Sequence, residues 1–279
     1  MAQDKYNAVW VSHSSIADFL RCPRAYYLKN IYKTKNNRKI SIASPALSLG
    51  IAVHETLEGL SKYKVEERFA NPLEKTFQEE WKKVSGKLGG FKTEIEEAEA
   101  KERGLNMILR VQKNPGPLLN KTIKLPPAHN NMPPNFFISE KENIILNGKI
   151  DWLEYIEADD TLRVIDFKTG KNEEKQDSLQ LPIYVLLLNA LQKRKVSGAA
   201  YWYIDKDDNP VDVKLPDIKE SHQKVLQIAR KIKFARELND FKCPRGPQGC
   251  FACRDFEKII KGEAEFIGFG NYGQEVYMV

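Results

Sequence analysis

Apolar residues recur along this chain with two different periods, and the change of period divides it. From Ser14 to Leu20 the apolar Ile16, Phe19 and Leu20 share one helical face behind a serine-rich start, the pattern of a capped helix. Cys22-Pro23 interrupts it, and because proline suits a first helical turn, a second helix is expected over Arg24–Ile31. Leu47, Ile51, His54 and Glu58 fall on one stripe of a helix expected over Ala46–Leu60. Further helices are expected over Pro72–Val84 and Thr93–Gln112. Asn114–Asn135 holds six of the fourteen prolines and marks an irregular connection. Strand patterns follow over Phe136–Glu140, Ile144–Ile156 and Leu162–Phe167. After them come an apolar helix over Gln176–Lys193, a strand rich in aromatic and β-branched residues over Val196–Ile204, and a basic amphipathic helix over Pro216–Leu238. No internal repeat or low-complexity tract is seen. This order predicts an α/β or α+β core with a helical N-terminal part.

A chain of 279 residues with 42% hydrophobic and 29% charged residues has a globular composition and ample material for a core. It has no apolar run of about 18 residues, so no spanning helix is expected and no membrane partner. The polar stretch Met1–Trp10 lacks a signal-peptide core, which predicts a cytoplasmic protein. The net charge of +6 says little by itself, but its distribution is uneven. Met1–Lys39 carries eight basic residues against two acidic ones, and Lys219–Arg245 carries eight against three. Such ends attract a polyanion such as DNA, and they equally describe solvated helix faces.

The four cysteines gather in two places: Cys22, and the cluster Cys243, Cys250, Cys253. In a cytosolic chain thiolates gathered in this way point to metal rather than to disulfides. The two-residue gap of Cys250-Phe-Ala-Cys253 lets two thiolates reach one centre. Four thiolates complete either a tetrahedral zinc site or an iron–sulfur cluster.

A second candidate chemistry lies in the strands. Asp151 closes Gly148-Lys149-Ile150-Asp151, and Asp166 and Lys168 lie in Val164-Ile165-Asp166-Phe167-Lys168. Alternation along a strand sends Asp166 and Lys168 to one face. Hard oxygen donors of this kind suit Mg2+ or Mn2+, and a lysine beside them presents a cation to a phosphate. The flanking apolar residues predict a buried strand, in which a carboxylate demands a cation in any case.

Taken in order, Cys22-Pro23-Arg24, Gly50-x3-His54, Gly148-x2-Asp151, Asp166-Phe167-Lys168-Thr169-Gly170, Gln180-x3-Tyr184 and the terminal cysteines resemble the RecB-like branch of the PD-(D/E)XK nuclease superfamily. The likeness is to its iron–sulfur members, the CRISPR-associated RecB-like exonucleases and the AddB nuclease domain. It extends from about Ser14 to Asp255. It implies a restriction-endonuclease-like mixed sheet flanked by helices and a single nuclease domain over 1–279. Within that domain it implies a helical part at 14–112, a catalytic sheet at 136–205, and a basic helix with the cysteine cluster at 216–256.

The resemblance also implies roles. His54, Asp151, Asp166 and the Phe167 carbonyl would hold Mg2+ or Mn2+. Lys168 would orient or activate water and stabilise charge on the phosphate, with Gln180 and Tyr184 positioning Lys168 or the DNA. Glu140 is a weaker candidate for a second metal or the water. Cys22, Cys243, Cys250 and Cys253 would bind a 4Fe–4S cluster, with zinc as the alternative. The implied activity is metal-dependent hydrolysis of DNA, as an exonuclease on single strands or free ends, in recombination, repair or phage-related processing. A CRISPR adaptation nuclease trimming spacer precursors and a silent DNA-binding module are the alternatives. A helicase or a CRISPR integrase is the partner so implied. In one respect the chain departs from these members: its third clustered cysteine, Cys243, precedes the Cys-x2-Cys pair instead of following it.

Overall fold

Strand β6 (Thr161–Lys168) is the element around which the others are arranged. The computed structural model describes residues 5, 7–125, 132–270 and 272–279. Strand β6 pairs antiparallel with β5 (Trp152–Ile156) and parallel with β7 (Lys195–Tyr203), and β7 pairs antiparallel with β8 (Val211–Val213). The sheet is therefore mixed, in the order β5-β6-β7-β8. The parallel β6–β7 step requires a crossover, and the apolar helix α6 (Gln180–Leu191) supplies it.

Alternation along β6 sorts the core into two layers. Leu162 and Val164 face a cluster that includes Ile183 and Leu187 of α6 and Val225 and Ala229 of α7 (Ile218–Glu237). Ile165 and Phe167 face the opposite way, toward α3 (Pro45–Gly59), α4 (Leu73–Lys82) and α5 (Glu94–Lys113). Each such side chain taken fully from water contributes about 1.5–3 kcal/mol, so a sheet covered on both faces is firmly seated. Asp166 and Lys168 fall on the α6 side, where the strand's last residues reach the sheet edge.

On α3 the stripe Leu47, Ile51, His54, Glu58 is not the core face. Leu49, Ala52, Val53, Thr56 and Leu57 are buried, and Leu47 is exposed. The polar stripe is thereby free to line a site. Phe77 of α4 lies against Gly104 of α5 so closely that an added Cβ there would stand 2.7 Å from the ring.

Two smaller sheets tie the ends of the chain in. β1 (Val9–Val11) lies parallel to β4 (Ile144–Asn147), which pairs with β3 (Asn135–Ser139). β2 (Ile40–Ile42) lies parallel to β10 (Glu275–Met278), which pairs with β9 (Glu265–Phe269). Helices α1 (His13–Arg21) and α2 (Pro23–Tyr26), the latter continued by a π-helical turn at Tyr27–Ile31, lie on either side of Cys22. Helix α8 (Arg254–Lys261) follows the cysteine cluster.

Two expectations need correction. The strand expected over Ile144–Ile156 is two strands in different sheets, broken at 148–151. At the break, a Cβ on Gly148 would stand 2.9 Å from Leu187, so the chain passes close to α6 there. The helix expected over Gln176–Lys193 begins only at Gln180. Residues 126–131 of the expected irregular connection lie outside the described residues.

Gly104→Val forces two methyl groups against the Phe77 ring. It should lower the free energy of unfolding by about 2 kcal/mol in chemical denaturation, the usual cost of overpacking.

Candidate metal and active site

Four segments converge on Asp166. Strand β6 carries Asp166 and Lys168, the break at 148–151 delivers Asp151, α3 brings His54 and Glu58, and the first turn of α6 brings Gln180 and Tyr184. Asp151 is anchored by the Phe167 backbone N–H, which donates to its Oδ2 at 2.9 Å. His54 Nδ1 lies 3.5 Å from Asp151 Oδ2 and 3.5 Å from Glu58 Oε1. Gly50, one turn earlier, allows this approach, since a Cβ there would stand 3.3 Å from the Thr169 hydroxyl.

Asp166 is 1% exposed. Its Oδ1 accepts from Gln180 Nε2 at 2.6 Å and from the Tyr184 hydroxyl at 3.2 Å. Its Oδ2 lies 2.7 Å from Lys168 Nζ but has no hydrogen bond of proper geometry. The Gln180 amide bridges the pair, its NH2 on Asp166 and its carbonyl oxygen accepting from Lys168. An amide carries both a donor and an acceptor and so serves a carboxylate and an ammonium at once. Lys168 also meets Glu174 Oε2 at 2.8 Å and sits 5.0 Å from the centre of the Tyr201 ring.

The electrostatics follow from burial. Desolvation and the neighbouring Asp151 push the Asp166 carboxyl up to about 7, with Lys168 and His54 opposing. Burial pulls the His54 imidazole down, but the Asp151 and Glu58 carboxylates more than reverse this and hold it at about 10. Burial likewise opposes the Lys168 ammonium, and Asp166 and Glu174 outweigh it, so the lysine stays charged. An ammonium with a raised pKa cannot take a proton from water; it can orient and neutralise. Burial and Asp166 keep Tyr184 a phenol that donates.

The donors suit a hard divalent cation. Carboxylate oxygens and one imidazole converge: ligand atoms of His54, Glu58 and Asp151 all lie within 4.8 Å of one another, and the buried Asp166 Oδ2 has an ion pair with Lys168 but no hydrogen bond.

The chain matches the family model of the PD-(D/E)XK nuclease superfamily over residues 10–255. It belongs to that superfamily. The match spans the helical N-terminal part, the four-stranded sheet and the cysteines. Among curated relatives, an ATP-dependent helicase/deoxyribonuclease component from Clostridium botulinum strain Hall is 25% identical over 301 aligned residues, covering 92% of this chain and 24% of the relative. The proteins of the same name from strains Langeland and Okra are 26% identical with the same coverage. The chain thus spans about a quarter of the length of these relatives.

His54, Asp151, Asp166, Lys168, Gln180 and Tyr184, all marked by sequence motifs, come together in this nuclease fold. Glu140 does not. It is exposed in the β3–β4 turn, at the other end of β4 from Asp151, because the break at 148–151 sends Asp151 into a different sheet. Two residues were missed. Glu58 had its signal, one helical turn from His54 on the polar stripe. Glu174 had none, since it reaches Lys168 from a loop.

The second centre is also assembled. Cys22, Cys243, Cys250 and Cys253 are free thiols whose sulfurs lie within 4.8 Å of one another. Backbone N–H groups point at them, Cys250 N at 3.2 Å from Cys253 Sγ and Arg245 N at 3.4 Å from Cys243 Sγ. Burial raises the Cys22 and Cys253 thiols, the latter to about 12. At Cys250 burial is overcome by backbone donors, which hold it at about 7. Four crowded sulfurs cannot all ionise without a cation among them.

The raised pKa of Asp166 gives a signed prediction. Between about pH 4 and 7 the folded state holds this proton more tightly than the unfolded state, so the group's contribution to stability falls as pH rises through that window. A cation competing for the same oxygen gains as the proton leaves. The rise in Tm caused by Mn2+ should therefore grow from pH 5.5 to 8, reaching ~5 °C when Mn2+ is about 100-fold above its Kd, and should vanish in Asp166→Ala.

Proposed function

We propose that this chain is a divalent-metal-dependent DNA nuclease that hydrolyses phosphodiester bonds, acting on strands with free ends. The observation that carries the reading is the buried Asp166 carboxylate, ion-paired with the Lys168 ammonium and near enough to the His54–Glu58–Asp151 cluster for Asp151 and His54 to act on its charge. His54, Asp151, Asp166 and the Phe167 carbonyl, with Glu58 added, would hold Mg2+ or Mn2+. Such a cation supplies Lewis-acid polarisation of the phosphodiester and a lowered pKa for water. Lys168 places fixed positive charge where phosphate charge develops, which costs no reorganisation in a site made rigid beforehand. Gln180 and Tyr184 hold the Asp166–Lys168 pair in register, and Glu174 holds the lysine from the far side. The relatives' names include a helicase, so a helicase partner belongs to the same proposal.

For the cysteine centre the spacing of the sulfurs supports one of the two alternatives. A tetrahedral ion with metal–sulfur bonds of about 2.3 Å spaces its thiolates about 3.8 Å apart. Cys250 and Cys253 are 3.9 Å apart. An iron–sulfur cubane interposes several atoms between its thiolates and needs them wider. A single zinc ion is therefore the reading that the spacing favours, with a structural role in tying residue 22 to residues 243–253.

Asp151→Ala, Asp166→Ala and Lys168→Ala should each lower Mg2+-dependent cleavage of DNA labelled at either end by at least ~100-fold while DNA binding is largely retained. Cleavage surviving Asp166→Ala would remove the basis of the assignment. Metal analysis of the purified chain should find about one zinc and no visible colour. Brown protein with about four irons would overturn the single-ion reading and restore the cluster. Under either metal, Cys22→Ala should make α1 and α2 easier to proteolyse.

A further inference from the structure

Beside Asp151 a pocket of about 280 Å³ opens between the end of α3 and the segment 121–125. Its rim carries three lysines, Lys62, Lys124 and Lys149. Lys62 closes the 3-10 turn that continues α3, the helix of His54 and Glu58. Lys149 lies in the break that delivers Asp151. Lys124 belongs to a segment laid along the edge of β5, where Ile123 N donates to the Leu153 carbonyl at 3.1 Å and Tyr155 N to the Lys121 carbonyl at 2.8 Å. None of the three is carried on an unanchored loop.

Their charges are unequally spent. Lys149 pairs with Glu58 at 2.6 Å and with Glu55 at 3.2 Å. Among the described residues, Lys62 and Lys124 form no ion pair; burial, Lys62 and Lys149 depress the Lys124 ammonium, with the Glu58 carboxylate opposing. The same pocket is lined by Glu55, Glu58 and Asp151, of which Lys149 takes the two glutamates and His54 stands against the aspartate, so the two ammonium groups left over on this concave wall make a seat for an anion. The neighbouring carboxylate centre takes a cation, so the two seats differ in sign and lie side by side. A nucleic-acid strand matches both, because its phosphates recur at a fixed spacing and only one of them is at the reacting centre at a time.

Resting on the nuclease reading above, we infer that Lys62 and Lys124 bind a phosphate of the DNA strand next to the one that is cut. These lysines position the strand and do not touch the reacting atoms. Lys149 stays with Glu58 and fixes the wall between the two seats.

The test uses the full chain with Mg2+ and a set of oligonucleotides, each with one neutral methylphosphonate at successive positions around the cut. For the wild type, one position beside the cut should raise KM roughly tenfold. Lys62→Gln/Lys124→Gln should raise KM for unmodified DNA to a similar degree, with a far smaller fall in kcat. It should also lower the slope of log affinity against log salt by about one. On the double variant the sensitive methylphosphonate should cost nothing further, because the same contact is already gone. Equal methylphosphonate penalties in wild type and variant would overturn the inference and leave the nuclease standing. Inorganic phosphate protecting the two lysines from acylation as well as DNA does would also overturn it, assigning the pocket to free phosphate. Wild-type chain that cleaves no oligonucleotide would overturn the nuclease reading, and this inference with it.

Discussion

The structure depends on a buried carboxylate that cannot be left alone. Asp166 lies on the central strand with apolar neighbours before it, and an isolated ionised group there would be far too costly. Everything around it reduces that cost. Gln180 and Tyr184 donate to one oxygen, Lys168 stands beside the other, and Asp151 adds repulsion that a proton on His54 or a metal ion must offset. The repulsion between Asp166 and Asp151 is what a cation set between the two carboxylates would relieve. Fold and site share this constraint: the β6–α6–β7 crossover is what puts Gln180 and Tyr184 over Asp166.

The outer parts of the chain show a second constraint, the joining of distant segments. Cys22 meets cysteines more than two hundred residues later, Arg24 pairs with Glu257, and β2 lies against β10. A shared metal ion that links such remote residues removes much of the freedom of the unfolded chain. Part of the basic charge at the ends is spent on ion pairs within the fold. Lys29 pairs with Asp18, and Arg230 with Glu142. Lys62 and Lys124, without an ion pair among the described residues, lie instead near the carboxylate centre, where a phosphodiester would need them.

The site was legible in the sequence because its residues are fixed by local rules. Asp166 and Lys168 share a face by strand alternation, Gln180 and Tyr184 by helical spacing, and His54 and Glu58 by one turn of α3. What failed depended on tertiary contacts. The apolar run through Ile144–Ile156 hides the break at 148–151, because nothing local shows that Gly148 must pass beside Leu187. Glu174 reaches Lys168 only through the path of a loop. The strands β1, β2, β8, β9 and β10 are three to five residues long, too short for a periodic signal, and each exists only through its partner. Tyr26 and Trp202 are buried in the core.

The central claim is that α3, the 148–151 break and the end of β6 surround one divalent ion. Replacing that ion with Fe2+ and adding ascorbate and peroxide generates radicals at the ion, which cut the nearest backbone. Mapping the fragments by mass spectrometry measures the convergence directly. The account predicts cuts at residues 54–58, 148–151 and 166–168 together, suppressed by excess Mg2+ and absent in Asp166→Ala. Cuts confined to the cysteine region, or scattered cuts indifferent to Mg2+ and to Asp166, would contradict it.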